Sequence, residues 1–184
     1  MYMKSLQKKN TSRGFSFGET LLATFVLSVG LLTVVKLFQV SISQSIFLRD
    51  ATIASELSQE GVELVRNIRD NNFIAGGTGF ASFSNDRHCF IAVNSTNLSC
   101  YSSQSGAPSY DLVYQNGRYE STSASGKFRR YLYVNYSSSE PQANIKSFVT
   151  WGEASLPPSD GSVENCSIRN KCVYTEALLT NWKS

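Results

Sequence analysis

From Phe15 to about Asn71 the chain contains no proline, and its opening stretch, Thr20 to Val35, is apolar on nearly every residue. A run this long without a proline has no decisive helix breaker. Gly30 and Gly61, single glycines within it, are tolerated at a cost of about 1 kcal/mol each relative to alanine. The texture changes along the run. Up to Val35 it is apolar all round, as a helix surrounded by lipid or protein should be. After Lys36 the residues Ile42, Ile46, Ile53, Leu57, Leu64, Val65 and Ile68 recur mostly at spacings of three, four or seven, which is one helical face. Ser43, Asp50, Glu56, Glu60, Glu63 and Arg66 fill much of the remainder, with Glu63 and Arg66 spaced for an i,i+3 pair. The pattern predicts one long helix, apolar in its first half and amphipathic in its second.

Asp70-Asn71-Asn72 and Gly76-Gly77-Thr78-Gly79 end that helix. Residues 73–184 are rich in Ser, Asn, Gly and Tyr. Strands are expected over Ser109–Tyr114, Arg118–Ser121, Phe128–Tyr136 and Ile145–Trp151. Gln115-Asn116-Gly117 is a hairpin turn between the first two. Val173–Trp182 reads as a final strand or a short helix, with Val173-Tyr174-Thr175 favouring strand. The loop around Pro157-Pro158 cannot join a sheet interior. A helix followed by three to five antiparallel strands is an α+β arrangement, and the amphipathic half of the helix supplies the face that one side of the sheet must cover.

The formal charge of +3 is unevenly placed. Lys4, Lys8, Lys9 and Arg13 stand in the first 14 residues with no acid among them; without these four, 13 of the 17 basic residues remain against 14 acidic ones. The basicity therefore belongs to a short leader, and argues against a nucleic-acid partner. Basic residues before an apolar span read instead as a cytoplasmic flank. The four cysteines, Cys89, Cys100, Cys166 and Cys172, all follow the apolar run. An even count on the outer side fits disulfides in an oxidising space, and local pairing is the simplest of three connectivities. Free thiols and zinc are the alternatives, although no Cys-x-x-Cys occurs and the single histidine is His88.

Chemistry-bearing residues are otherwise dispersed. His88 beside Cys89 lacks a partner constellation for nucleophilic catalysis and reads as a loop residue. Asp111, Glu120, Glu140, Glu153 and Asp160 form no evident carboxylate pair. Arg129-Arg130 beside Tyr131 and Tyr133 reads as a solvated strand face rather than a nucleic-acid patch. No cofactor or metal site and no enzymatic activity are expected.

The junction Arg13-Gly14-Phe15-Ser16-Phe17-Gly18-Glu19 poses a sharper problem. A carboxylate inside a bilayer costs roughly 3 kcal/mol or more, so Glu19 needs compensation. A secretory signal peptide would place a small-residue cleavage site after the apolar run, and Val34-Val35-Lys36-Leu37 is a poor one. A plain anchor leaves Glu19 unexplained. Cleavage before the apolar run, after Gly14, removes the leader and keeps the helix.

This last pattern resembles the class III leader of type IV pilins and type II secretion pseudopilins. The matching residues are Gly14, Phe15 and Glu19 with the apolar helix after them. Val26-Leu27-Ser28-Val29-Gly30-Leu31-Leu32 is similar to the same stretch in minor pilins of the PilV and GspI type. The resemblance covers residues 13–35; where many members have a proline, this chain has Lys36. It implies a pilin-like organisation: residues 1–14 a cleaved leader, 15–36 the membrane-spanning or filament-core half of the helix, 37–72 its amphipathic half, and 73–184 an exposed β-rich head. It further implies cutting by a prepilin peptidase between Gly14 and Phe15, N-methylation of Phe15, and approach of Glu19 to a neighbouring subunit's N-terminal amine. Ser28 and Gly30 would permit close helix packing. The implied partners are the peptidase, other pilin subunits, the inner-membrane assembly machinery and the membrane itself. The implied location is the bacterial cytoplasmic membrane, N-terminus inside and head outside, and then a filament.

Overall fold

A computed structural model of the chain describes residues 14, 16–83, 88–91, 95–101, 110–121, 125–139, 142–152 and 161–181. The leader residues before Gly14, the Phe15 position, Glu140, Glu153, Asp160, the Pro157-Pro158 loop and Trp182 lie outside them. The chain forms two compact units, Met1–Ile46 and Phe47–Ser184.

One helix, α1, runs Phe17–Ile74, and the α-helical backbone continues through Lys36. In the first unit every described helical residue is solvent-exposed. In the second unit α1 lies on an antiparallel sheet, and its buried positions are Asp50, Ala51, Ala54, Leu57, Ser58, Gly61, Val62, Val65, Ile68, Arg69 and Phe73. These recur at threes and fours, as a one-sided contact requires. The part of the expected face that lies in the second unit meets the sheet, and the part in the first unit does not. Leu57, Val65 and Ile68 are buried and Ile53 and Leu64 partly so, but Ile42 and Ile46 are exposed. The first turns to meet the sheet instead use Ala51, Ala54, Ser58 and Gly61, small side chains that let the backbones come close. Asp50, expected on the polar side, is buried and ion-paired to Lys127 at 2.6 Å. Glu63 and Arg66 form their pair.

The sheet has seven strands: β1 His88–Phe90, β2 Ser99–Tyr101, β3 Asp111–Gln115, β4 Arg118–Ser121, β5 Phe128–Ser137, β6 Gln142–Trp151 and β7 Cys172–Thr180. β5 is its axis. One edge of β5 pairs with β6 over its whole length, from Phe128↔Trp151 to Ser137↔Gln142. The other edge is shared, Arg129 facing Asp111 of β3 and Leu132 facing Cys89 of β1. β4 returns on β3 through Asn116-Gly117, whose φ values of 52° and 83° are those of a type I′ hairpin. β7 follows β6 from Thr150↔Cys172 to Gln142↔Thr180, so the final segment is a strand. β1 and β2 were not expected; they are three residues each and place His88 in a strand, buried against the Tyr131 ring, rather than in a loop.

Alternation divides the sheet into two faces. Phe128, Leu132 and Val134 of β5 and Ala143, Ile145, Val149 and Trp151 of β6 join the α1 side chains in two apolar clusters. Tyr131 and Phe148 face the other way and pack with Tyr110 and Cys172. Both disulfides are local, Cys89–Cys100 across β1 and β2 and Cys166–Cys172 across the turn into β7.

Candidate functional site

The site residues of the resemblance fall in the first unit, and local chemistry explains how each is held. Ser16 precedes α1 and Glu19 is its third residue. The Glu19 carboxylate accepts the Ser16 backbone N–H at 3.0 Å, and the Ser16 carbonyl accepts the Glu19 N–H at 3.0 Å. Ser16-x-x-Glu19 thus has the spacing and the return bond of a capping box. The carboxylate also stands at the positive end of the helix dipole, an effect of about 0.3–1 kcal/mol. Glu19 therefore has a partner within its own chain. That contact was legible in the spacing but absent from the reading of Glu19 as an uncompensated charge.

The polar side chains along the apolar stretch are satisfied in the same local way. The hydroxyls of Thr20, Thr24, Ser28 and Thr33 donate to the carbonyls of Phe17, Leu21, Thr24 and Val29 at 2.7–2.9 Å. A segment in hydrocarbon must satisfy its polar groups internally, and these do. The helix is long and apolar enough to cross a membrane, and its most apolar window buries nothing within the chain. It is a candidate membrane anchor. Lys36 follows the unbroken apolar run that ends at Val35 and has the stem length to reach an interface.

Gly14 and Gly30 share a negative property. A Cβ added at either would meet nothing within 4 Å, and neither has a left-handed φ. Nothing within the described chain demands a glycine at these positions. Gly61 is the opposite case. Its added Cβ would lie 2.3 Å from Ser147 Oγ and 3.0 Å from Arg130 Cδ. It is the closest approach of α1 to the sheet, and sequence reading had treated it as a merely tolerated residue.

The second unit carries the remaining candidates. Cys89 is in a disulfide, which removes it as a thiolate nucleophile beside His88. Arg129 pairs with Asp111 at 2.9 Å. Arg130 is not on a solvated face: it is buried under α1, donating to Glu60 at 2.8 Å and toward the Leu57 carbonyl at 3.4 Å. Burial lowers its pKa from the usual arginine value, and Glu60 opposes that shift. Burial, and then the neighbouring Tyr101, raise the pKa of Tyr110. Among the described residues no group of three or more His, Cys, Asp or Glu side chains is placed to hold a metal ion.

No family model, curated protein or solved structure matches the chain.

Proposed function

We propose that this chain is a minor pilin or pseudopilin, a structural subunit that a prepilin peptidase cuts after Gly14 and that assembles through its N-terminal helix into a type IV pilus or type II secretion-like filament. The observation that carries the reading is the pair of glycines without an internal reason. Gly14 and Gly30 are sterically free among the described residues, and Gly30 costs the isolated helix about 1 kcal/mol. A protease subsite that admits no side chain accounts for Gly14, and a helix packed closely on α1 accounts for Gly30. The internally satisfied hydroxyls let the same segment reside in a bilayer before assembly and in an apolar filament core after it. The leader holds the N-terminus in the cytoplasm and the head lies outside. The head has a structural role, with no catalysis of its own.

The test is the mass of the mature protein co-expressed with a prepilin peptidase. Processing gives a chain starting at Phe15 with a methylated amine, and Gly14→Leu leaves the leader attached. A wild-type chain that keeps its leader, or is cut beyond residue 30, would end the proposal.

A second reading is a single-span, membrane-anchored surface-binding protein that never polymerises. The bond from the Ser16 N–H to Glu19 favours it, because this gives the carboxylate a task that needs no neighbour. Glu19→Ala separates the two. A filament subunit so altered is cut normally but enters filaments poorly. An anchored protein loses only its cap, about 0.5–2 kcal/mol of helix stability.

A further inference from the structure

The second unit has an open groove of about 250 Å³ between α1 and the β3–β4 hairpin, lined by Ile53, Glu56, Leu57, Glu60, Arg118 and Tyr119. Ile53, Leu57 and the Tyr119 ring give it an apolar floor; two carboxylates stand over it. The ion pairs around it are nearly all closed. Glu60 is held by Arg130 at 2.8 Å and Arg118 by Glu120 at 2.6 Å. Along this part of α1, Asp50 pairs with Lys127, Glu63 with Arg66 and Asp70 with Arg69. Glu56 has no hydrogen bond or ion pair among the described residues. Arg49 is its counterpart: its side chain is 66% exposed and, among the described residues, its acidic partner is Asp50 at 3.7 Å, which Lys127 already occupies.

Glu56 is thus the unpaired carboxylate of this helical stretch and Arg49 its most weakly held cation, exposed and sharing Asp50 with Lys127, and the two cannot satisfy each other. They share a face because seven residues are almost two turns, but lie on the order of 10 Å apart along the axis. A parallel second helix displaced by seven residues removes that separation. We propose that the groove takes the Arg49 side chain of a second copy of this chain. Its methylene stem lies on Ile53 and Leu57 and its guanidinium sits by Glu56 and against the Tyr119 ring. The occupant is set by charge complementarity: the groove offers an unpaired carboxylate over an apolar floor, and the same helix carries, one heptad away, an exposed cation held only by a long pair to an aspartate that Lys127 already neutralises. The inference rests on the filament reading, which supplies parallel copies displaced along the axis.

Cysteine cross-linking in the full-length protein tests it. Arg49 and Glu56 are replaced singly and together by Cys in cells co-expressing the assembly system, and sheared filaments and membranes are oxidised separately. The double variant should give a ladder of cross-linked copies while neither single variant exceeds background. Arg49→Glu should reduce wild-type incorporation several-fold, and Arg49→Glu with Glu56→Arg should restore it. Filaments that contain the double variant but yield no ladder overturn the groove assignment and leave the filament reading intact, the result for a subunit that adjoins only other proteins. A ladder in membranes without any filament supports the groove and removes the filament reading. A strong cross-linked dimer from Glu56→Cys alone, the largest species a single thiol per copy can form, means that like faces meet, which overturns the seven-residue displacement.

Discussion

Gly61→Ala is the substitution that most directly tests how α1 sits on its sheet. The added methyl would lie 2.3 Å from Ser147 Oγ, 3.0 Å from Arg130 Cδ and 3.2 Å from Ser147 Cβ. The first distance is impossible without movement. Ser147 is fully buried on β6 and Arg130 is held by Glu60, so neither can withdraw into solvent. Overpacking of this kind costs about 1–3 kcal/mol. Alanine regains about 1 kcal/mol in a helix interior. A 2.3 Å approach to a fully buried atom belongs in the upper part of that cost range, so the net expectation is a loss of about 1–2 kcal/mol, or roughly 2–8 °C in melting temperature for a chain of this size. Ser147→Ala removes the nearest atom, a buried hydroxyl without a hydrogen-bond partner, and should itself be close to neutral. The double variant should then recover most of the loss, a coupling of about 1 kcal/mol in the mutant cycle. The assay is thermal unfolding of the full-length protein in detergent, followed by near-ultraviolet circular dichroism. A Gly61→Ala variant as stable as wild type, or a cycle with no coupling to Ser147, would refute the close approach.

Tyr110 has a raised pKa, so its neutral form is favoured in the folded state; stability should be intact below the ordinary tyrosine value near 10 and fall as pH rises through it, and Tyr110→Phe should flatten that part of a melting-temperature profile. Replacing Cys89 and Cys100 together by Ala opens a link spanning 11 residues and should cost about 3 kcal/mol on the chain-entropy account, measured by urea unfolding against the wild type. Lys127→Met strips Asp50 of its main partner while keeping the stem; because the lysine is half exposed and the aspartate buried, the loss should be about 1–2 kcal/mol, between the surface and buried limits, and Asp50→Asn added to it should recover part.

The strands that alternate over five or more residues were legible, and so was the hairpin. Phe128–Tyr136 and Ile145–Trp151 lie within β5 and β6, and Asn116-Gly117 occupies the turn its dipeptide specifies. β1 and β2 were not, since three residues carry no period. Their pairing brings Cys89 opposite Cys100, so the disulfide stands where a pattern would otherwise be. The helix was legible in type and in much of its face, with Leu57, Val65 and Ile68 buried, but not in how it first meets the sheet. Ile42 and Ile46 continue the apolar spacing, yet the sheet is met through Ala51, Ala54, Ser58 and Gly61, whose value is small size rather than hydrophobicity. A hydropathy period cannot report that a sheet needs close approach. Nor could it place Asp50 and Arg130, because a buried charge is tolerable only with its partner, and Lys127 and Glu60 are 77 and 70 residues distant.

Of the three glycines singled out, one is accounted for by the fold and two are not. The same composition signal, a glycine in or beside a helix, therefore separates into different causes only when the space around it is known. At Gly61 the surrounding atoms forbid a side chain, and conservation of packing is a sufficient reason for the residue. At Gly14 and Gly30 no described atom lies close enough to forbid a side chain, so packing within the described residues gives no reason for either glycine. Glu19 divides in a similar way. Its bond to the Ser16 N–H is enough to keep a carboxylate in the first turn, so its presence there is no longer an argument for a neighbouring amine. What the cap does not explain is the company it keeps: an apolar helix that covers nothing of its own chain and, two turns beyond Arg49, a carboxylate left without a cation. The exposed apolar helix is relieved by lipid and by another helix alike, and Glu56 by any cation, so the cleavage and cross-linking measurements are what separate an anchored protein from a filament subunit.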